Sequence, residues 1–171
     1  ARLKEYLMQL DEVLAGNHFL RGLIVPGGVR YDVEERILEE IVDVLHEVEK
    51  EYINIEHIMW EQNNFINRVR TTGIIKERTA YDLAMVGVGA RASGLTRDSR
   101  KDMGYGIYDE FDFNVVTETS GDVEARIKVR IAEVKESLKI IRQTITALRY
   151  DATYDIKVDL GKLRTLEGSW G

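Results

Sequence analysis

The chain has 171 residues, a formal charge of −6, 44% hydrophobic and 32% charged side chains, the composition of one ordinary globular domain. The acidic balance argues against nucleic acid, which is bound by clustered Lys and Arg, and no apolar run reaches the 18 or so residues a bilayer span requires. The chain contains no cysteine, so it supplies neither disulfides nor thiolate ligands. Its first residues, Ala1-Arg2-Leu3, carry no signal-peptide pattern and no Met, which leads us to expect an excised or processed segment.

Leu3, Leu7, Leu10 and Leu14 make one apolar stripe on a first helix, closed by Gly16 and Asn17. A short helical or irregular piece with Phe19, Leu20, Leu23 and Ile24 follows, stopped by Pro26-Gly27-Gly28 at the only proline. Leu38, Ile41, Leu45, Val48, Tyr52, Ile55 and Met59 then step by three and four, which predicts a long helix over 33–68 with Asp32 as N-cap. Gly73 ends it. Thr79 is positioned to cap a short helix with Tyr81, Leu83 and Ala84, and Gly87-Val88-Gly89 predicts irregular backbone.

Alternation over Phe111 to Val116 predicts a short strand. A second long helix starts at Gly121-Asp122, capped by Asp122, with Glu124 suited to its positive end. Val123, Ile127, Ile131, Val134, Leu138, Ile141, Ile145 and Leu148 form its seam, and Ile156, Val158 and Leu160 suggest a last short strand. The expected fold is mainly α: a single domain over 1–171, a helical bundle built on two long helices, with an irregular insert and short β strands.

Chemistry-bearing patterns are sparse. Asp43-x-x-His46 and Asn54-x-x-His57 have the spacing of di-metal bundle ligands, but such a site needs the motif from two helices and the second long helix has no histidine. No metal site is expected. Gly87-x-Gly89 followed by Gly94 does not fit a dinucleotide fingerprint, and no Walker lysine exists. Ser93, Ser99, Ser120 and Ser137 lack a nucleophile elbow. What remains is the insert, where Arg91, Arg97, Asp98 and Arg100 lie among small residues and aromatics. Arg91, Asp98 and Arg100 are the candidates, either bracing a loop through bidentate ion pairs or guiding protons or holding an acidic partner.

Five blocks carry a family resemblance in one order: Pro26-Gly27-Gly28-Val29; R-V-R-T-T-G-I-I over 68–75; G-A-R-A-S-G over 89–94 with Arg97-Asp98-Ser99-Arg100; Y-x-x-Y-D-x-F-D-F over 105–113; and Gly121-Asp122, Arg126, Arg130, Glu133, Ser137, Ile140 and Ile141. Together they resemble the large subunit shared by energy-converting NiFe hydrogenases of the formate hydrogenlyase type and by NADH–quinone oxidoreductase, where it is the D subunit of complex I. Ala92 and Arg97 lean toward the hydrogenase branch.

The resemblance implies the central helical body of a redox enzyme's large subunit, enzymatic only within its parent oxidoreductase and inactive alone. In that parent the subunit couples electron transfer to ion translocation. The implied partners are a small iron–sulfur subunit and membrane-arm subunits, at the cytoplasmic, inner face of the cell membrane. The hydrogenase branch implies a nickel–iron centre on two Cys-x-x-Cys pairs, and the complex I branch implies quinone, bound by a loop upstream of the P-G-G-V turn. Neither cofactor is expected in this chain, no catalytic residue carries over, and neither Asn54 nor Glu56 is assigned the family's acidic position. A non-catalytic scaffold of the same fold is the other reading.

Overall fold

The computed structural model describes residues 2–150 and is mainly α, with one small sheet. The chain divides into two compact units, residues 1–48 with 145–171 and residues 49–144. The strand suggested at Ile156–Leu160 lies outside the described residues.

In the first unit, α1 (Arg2–Ala15) buries only Leu10 of its leucine stripe. The segment after it forms turns rather than a helix, and leads into β1 (Ile24–Val25), which pairs antiparallel with β2 (Gly28–Val29). Pro26 fixes φ at the turn and Gly27 takes φ +89°, a conformation that favours glycine. The first half of α2 (Glu35–Trp60) buries Leu38, Ile41, Leu45 and Val48, as its seam predicts, and Ile145 near the end of α7 (Val123–Tyr150) is buried too.

The N-cap position of α2 is Glu34, not Asp32. The Leu38 N–H donates to the Glu34 carbonyl at 3.1 Å, while Asp32 Oδ1 accepts only from the adjacent Val33 N–H, at 2.8 Å. The helix also stops short of Arg68. The apolar seam runs out at Met59, and Gln62 adopts φ −86°, ψ 101° before α3 (Asn63–Val69) starts on a new apolar face. Trp60 and Phe65 pack edge to face across the break, with centroids 5.7 Å apart.

The second unit holds the remaining elements. Thr79 lies inside α4 (Glu77–Asp82) and does not cap it: Ala80 N–H already donates to the Lys76 carbonyl at 3.0 Å. The stretch from Gly87 is helical rather than irregular, forming α5 (Gly87–Ala92), because the small residues let its backbone pack closely. A Cβ at Gly89 would lie 2.8 Å from Met85 Cε. α6 (Ser99–Asp102) and a 3₁₀ turn at Tyr108–Glu110 complete the insert.

Phe111 to Val116 alternates as predicted, with Phe111 and Phe113 buried against Ile140, yet it forms no strand. Side chains of α7 take its backbone groups instead. Gln143 Oε1 accepts from Asp112 N–H and Gln143 Nε2 donates to Asp112 O, at 2.9 and 2.8 Å, and Glu136 accepts from Asn114 N–H at 2.9 Å. A helix has thereby satisfied the hydrogen bonds that a partner strand would have made.

On α7 the seam is only partly the buried face. Ile131, Leu138 and Ile145 are buried, but Ile141 and Leu148 are exposed, and Ala125, Val129 and Ile140 are buried instead. Ala125 and Val129 face Ala92, so within the second unit the insert, rather than α2 alone, selects the buried face of α7. The two long helices run antiparallel there: Lys135 pairs with Glu56 at 2.8 Å and Arg142 with Glu49 at 2.5 Å, rungs one heptad apart on both helices.

Gly121 carries the tightest steric constraint. It sits at φ +65°, and a Cβ there would meet the Ile75 carbonyl oxygen at 2.0 Å. Gly121→Ala is therefore expected to lower the stability of the chain by about 3 kcal/mol or more, read as a drop in the urea midpoint. An unchanged midpoint would contradict the close approach.

Candidate functional site

Asp122 is the hub of the second unit. One carboxylate oxygen accepts from Ala125 N–H at 2.8 Å, which caps α7 as the sequence predicts, and from Ser120 Oγ at 2.9 Å. The other accepts from Thr71 N–H at 2.8 Å, a residue held at φ +55°, where β-branched side chains are strained. Burial by itself would raise the Asp122 carboxyl, but the donors from Ala125, Thr71 and Ser120 outweigh it and hold the group below its ordinary value.

Backbone hydrogen bonds continue the same seam. Gly121 donates to Ala92 O at 2.9 Å, Ile75 to Gly121 O at 3.0 Å, and Val123 to Thr72 O at 3.0 Å. Arg126 adds donors to the carbonyls of Gly73, Gly121 and Asp122. Next to it, Arg70 pairs with the buried Glu124 at 2.8 Å, and Lys128 reaches Glu124 at 2.9 Å. Those hydrogen bonds, Arg70 first, hold the Glu124 carboxyl below its ordinary range.

The three predicted residues enter two separate ion pairs, Arg91 with Glu133 and Asp98 with Arg100. Arg91, at the end of α5, donates from Nε to Glu133 Oε1 of α7 at 2.6 Å and from Nη1 to the Arg97 carbonyl at 3.0 Å. Its side chain is 12% exposed. Asp98 and Arg100 form a bidentate pair, at 2.9 and 2.6 Å, while Asp98 Oδ1 also caps α6 through Arg100 N–H. Hydrogen bonding from the Arg100 side chain holds the Asp98 carboxyl below its ordinary value.

The Arg100 guanidinium lies 4.9 Å from the centroid of Phe113 and 5.9 Å from that of Tyr108. Arg97 forms no pair with Asp98; it lies over the Tyr81 ring at 5.6 Å. Arg91 is therefore tied to α7, whereas the Asp98–Arg100 pair is internal to the insert and packs on aromatics from the same segment. Sequence reasoning missed the partners Glu133, Glu124 and Arg70. Glu133 and Arg70 stand within the family blocks, and an acid on the buried side of a helix is the signal that would have found them.

The histidine patterns of the sequence do not assemble into a metal site. His57 faces Glu61 at 3.5 Å, His18 Nδ1 lies 2.9 Å from the Met8 carbonyl oxygen, and no group of three potential metal ligands exists among the described residues. No described helix is long and apolar enough to cross a membrane. One groove opens between the second half of α2 and the first half of α7, about 200 Å³ in volume, with Tyr52, Ile55, Met59, Ile127 and Ile131 as apolar walls and Glu56 and Arg130 at its polar positions. Burial, then Glu56, raises the Tyr52 phenol above its ordinary value, with Lys135 opposing.

Comparison with known proteins gives a consistent family. Residues 1–164 match the family model described as respiratory-chain NADH dehydrogenase, 49 Kd subunit. The chain is 34% identical over 148 residues to the D subunit of NADH-quinone oxidoreductase from Clostridium beijerinckii, covering 86% of this chain and 40% of that protein. It is 35% identical over 144 residues to a D subunit of NADH-quinone oxidoreductase from Rhizobium etli, covering 84% and 36%. A chain in the structure of the membrane-bound sulfane sulfur reductase, an archaeal respiratory membrane complex, superposes with a TM-score of 0.86 at 28% identity, over 96% of this chain and 44% of that one. The chain thus spans well under half the length of these relatives.

The depressed carboxylates set a pH dependence. Asp98, Asp122 and Glu124 contribute stability that is fully present above their unfolded values of 3.8, 3.8 and 4.5 and is lost as pH falls through the lower folded values. The urea midpoint is expected to hold steady from about pH 7 to about pH 5 and to fall steeply below about pH 4. Asp122→Asn should lower the neutral-pH midpoint and flatten that acid limb; an acid limb as steep as wild type would remove Asp122 as its source.

Proposed function

The chain belongs to the family of the 49 kDa subunit of respiratory-chain NADH dehydrogenase, and from that premise we propose that it is the central helical body of the large subunit of a membrane-associated multisubunit oxidoreductase, of the complex I type. The observation that carries this reading is the family match running over residues 1–164. On this reading electrons arrive from a small iron–sulfur subunit, quinone is the acceptor, and membrane-arm subunits couple the transfer to ion translocation at the cytoplasmic face of the membrane. The isolated chain is inactive, since with no cysteine it supplies no thiolate for an iron–sulfur or nickel–iron centre.

A nickel–iron centre does not fit the residues present: the chain lacks thiolates, and the described residues hold no metal-ligating group of three. The hydrogenase branch therefore requires ligands from outside these residues. Likeness to the sulfane sulfur reductase complex favours a second reading, in which the acceptor is a sulfur compound rather than quinone. In either case Arg91 acts as a brace, tying the end of α5 to Glu133 on α7, and the Asp98–Arg100 pair stiffens the insert for contact with a neighbouring subunit.

The test is the complete subunit purified from membranes with its partners. We expect co-purification of an iron–sulfur subunit, no stoichiometric nickel, and reduction of a short-chain quinone analogue. Stoichiometric nickel would replace this reading by the hydrogenase branch, and polysulfide reduction without quinone reduction would select the second. In the same complex Arg91→Ala is expected to cut the yield of assembled enzyme while turnover per assembled complex is kept. Full yield with lost turnover would instead assign Arg91 a direct part in proton or electron coupling.

A further inference from the structure

His18 follows α1 and turns back on it. Its Nδ1 lies 2.9 Å from the Met8 carbonyl oxygen, and its Nε2 lies 3.5 Å from Glu12 Oε2. Both ring nitrogens therefore face oxygen acceptors. A neutral imidazole carries one N–H and serves only one of them, whereas the imidazolium donates to both. The geometry is that of a charged histidine.

The surrounding charges agree with it. Those facing the ring are Glu12, Glu5 and Asp11, all acidic and all on α1. The cations of the turn are engaged elsewhere: Arg21 lies over the Phe19 ring at 5.3 Å, and the Arg30 guanidinium packs beside Gly22. The hydrogen bond to the Met8 carbonyl raises His18 above its ordinary 6.5; desolvation opposes this, and the three carboxylates add to it. The coupling is mutual, since His18 lowers the Asp11 carboxyl that burial raises.

What the ring holds is a segment with little else to fix it. Asn17 organises residues 17–21 from within: its Oδ1 accepts from the Phe19 and Arg21 N–H groups, both at 3.0 Å, and its Nδ2 donates to the Ala15 and Arg21 carbonyls. The backbone bonds of the turn are long, Leu20 to Asn17 at 3.4 Å and Leu23 to Leu20 at 3.3 Å. Leu20 sits at φ +54°, a strained conformation for a residue with a Cβ. His18 reaches past this turn to the middle of α1, so its two bonds tie a segment of low local stability to a helix.

We propose that His18 is a pH-sensitive latch: charged, it holds the turn over residues 16–23 against α1, and neutral, it lets that turn open and carries Phe19 away from the helix. A group raised in the folded state contributes stability that is fully present below its unfolded value of 6.5 and is lost as pH rises through the higher folded value. The latch is therefore closed below 6.5 and released above it. This inference concerns the chain's own residues and holds for either electron acceptor.

The experiment follows hydrogen exchange by mass spectrometry on the complete subunit in its membrane complex, from about pH 5 to about pH 9. Exchange at the imidazole C2–H gives the midpoint of His18, and amide exchange of the peptide over residues 16–23, normalised to the intrinsic rate at each pH, gives the opening of the turn. His18 is expected to titrate above 6.5, with amide protection falling through the same midpoint. The fold loss of protection between the two plateaus should equal the ratio of the proton affinities of His18 in the closed and open turn. Glu12→Gln should move both midpoints down together, and His18→Gln should leave protection without a pH step. A midpoint at or below 6.5, protection that is level across the range, or a step that survives His18→Gln overturns the proposal. So does a Glu12→Gln variant that shifts neither midpoint, a readout that remains if His18→Gln fails to fold.

Discussion

The second unit depends on the Gly121–Asp122 junction. One glycine, at φ +65° and pressed against the Ile75 carbonyl, lets the start of α7 meet the loop after α3, and the aspartate beside it satisfies donors from both. A side chain at 121 would hold the two segments apart, and without the carboxylate Thr71 would lose what secures its left-handed backbone. Because Gly121 also donates to Ala92, the end of α5 is fixed by the same two residues. Local helix capping and long-range closure are one interaction here, so neither can be weakened alone.

Four of the five sequence blocks that carry the family resemblance meet along α7 in this unit. Residues 68–75 dock on its first turn, Ala92 packs on Ala125 and Val129, Arg91 pairs with Glu133, and Phe111 and Phe113 cover Ile140. Segments with no period of their own are positioned by one long helix that gives each a different partner: a cap, a small-residue contact, an ion pair, an aromatic shelf.

The charges divide by depth. Lys135–Glu56 and Arg142–Glu49 are partly exposed rungs that set the antiparallel register of the long helices and add little energy each. The Arg91–Glu133 pair is more enclosed, with side chains 12% and 23% exposed, so removing either partner leaves a poorly hydrated charge. Arg130 lines the groove beside Tyr52, Ile55 and Met59, is exposed to solvent, and forms no ion pair among the described residues.

The two long helices, the Asp122 cap, the turn at Pro26-Gly27 and the mainly α class were all legible in the sequence, because each rests on interactions within a few residues: a 3.6-residue period, a cap, a turn glycine. The candidate residues Arg91, Asp98 and Arg100 were legible as formers of ion pairs, but which arginine holds Asp98 was not. Arg91's partner, 42 positions away, was not. Nor was the break at Gln62, the six-residue helix at Gly87–Ala92, or the fate of Phe111–Val116, where the alternation is real but Gln143 and Glu136 supply the hydrogen bonds of a missing strand. Sequence alone determined the two long helices and the apolar stripe on each, for those are set by neighbours along the chain. Only the tertiary structure decided which face of α7 is buried, which acids hold which arginines, and that the seam of α2 is left open past Val48, because these depend on what other segments bring to the same place.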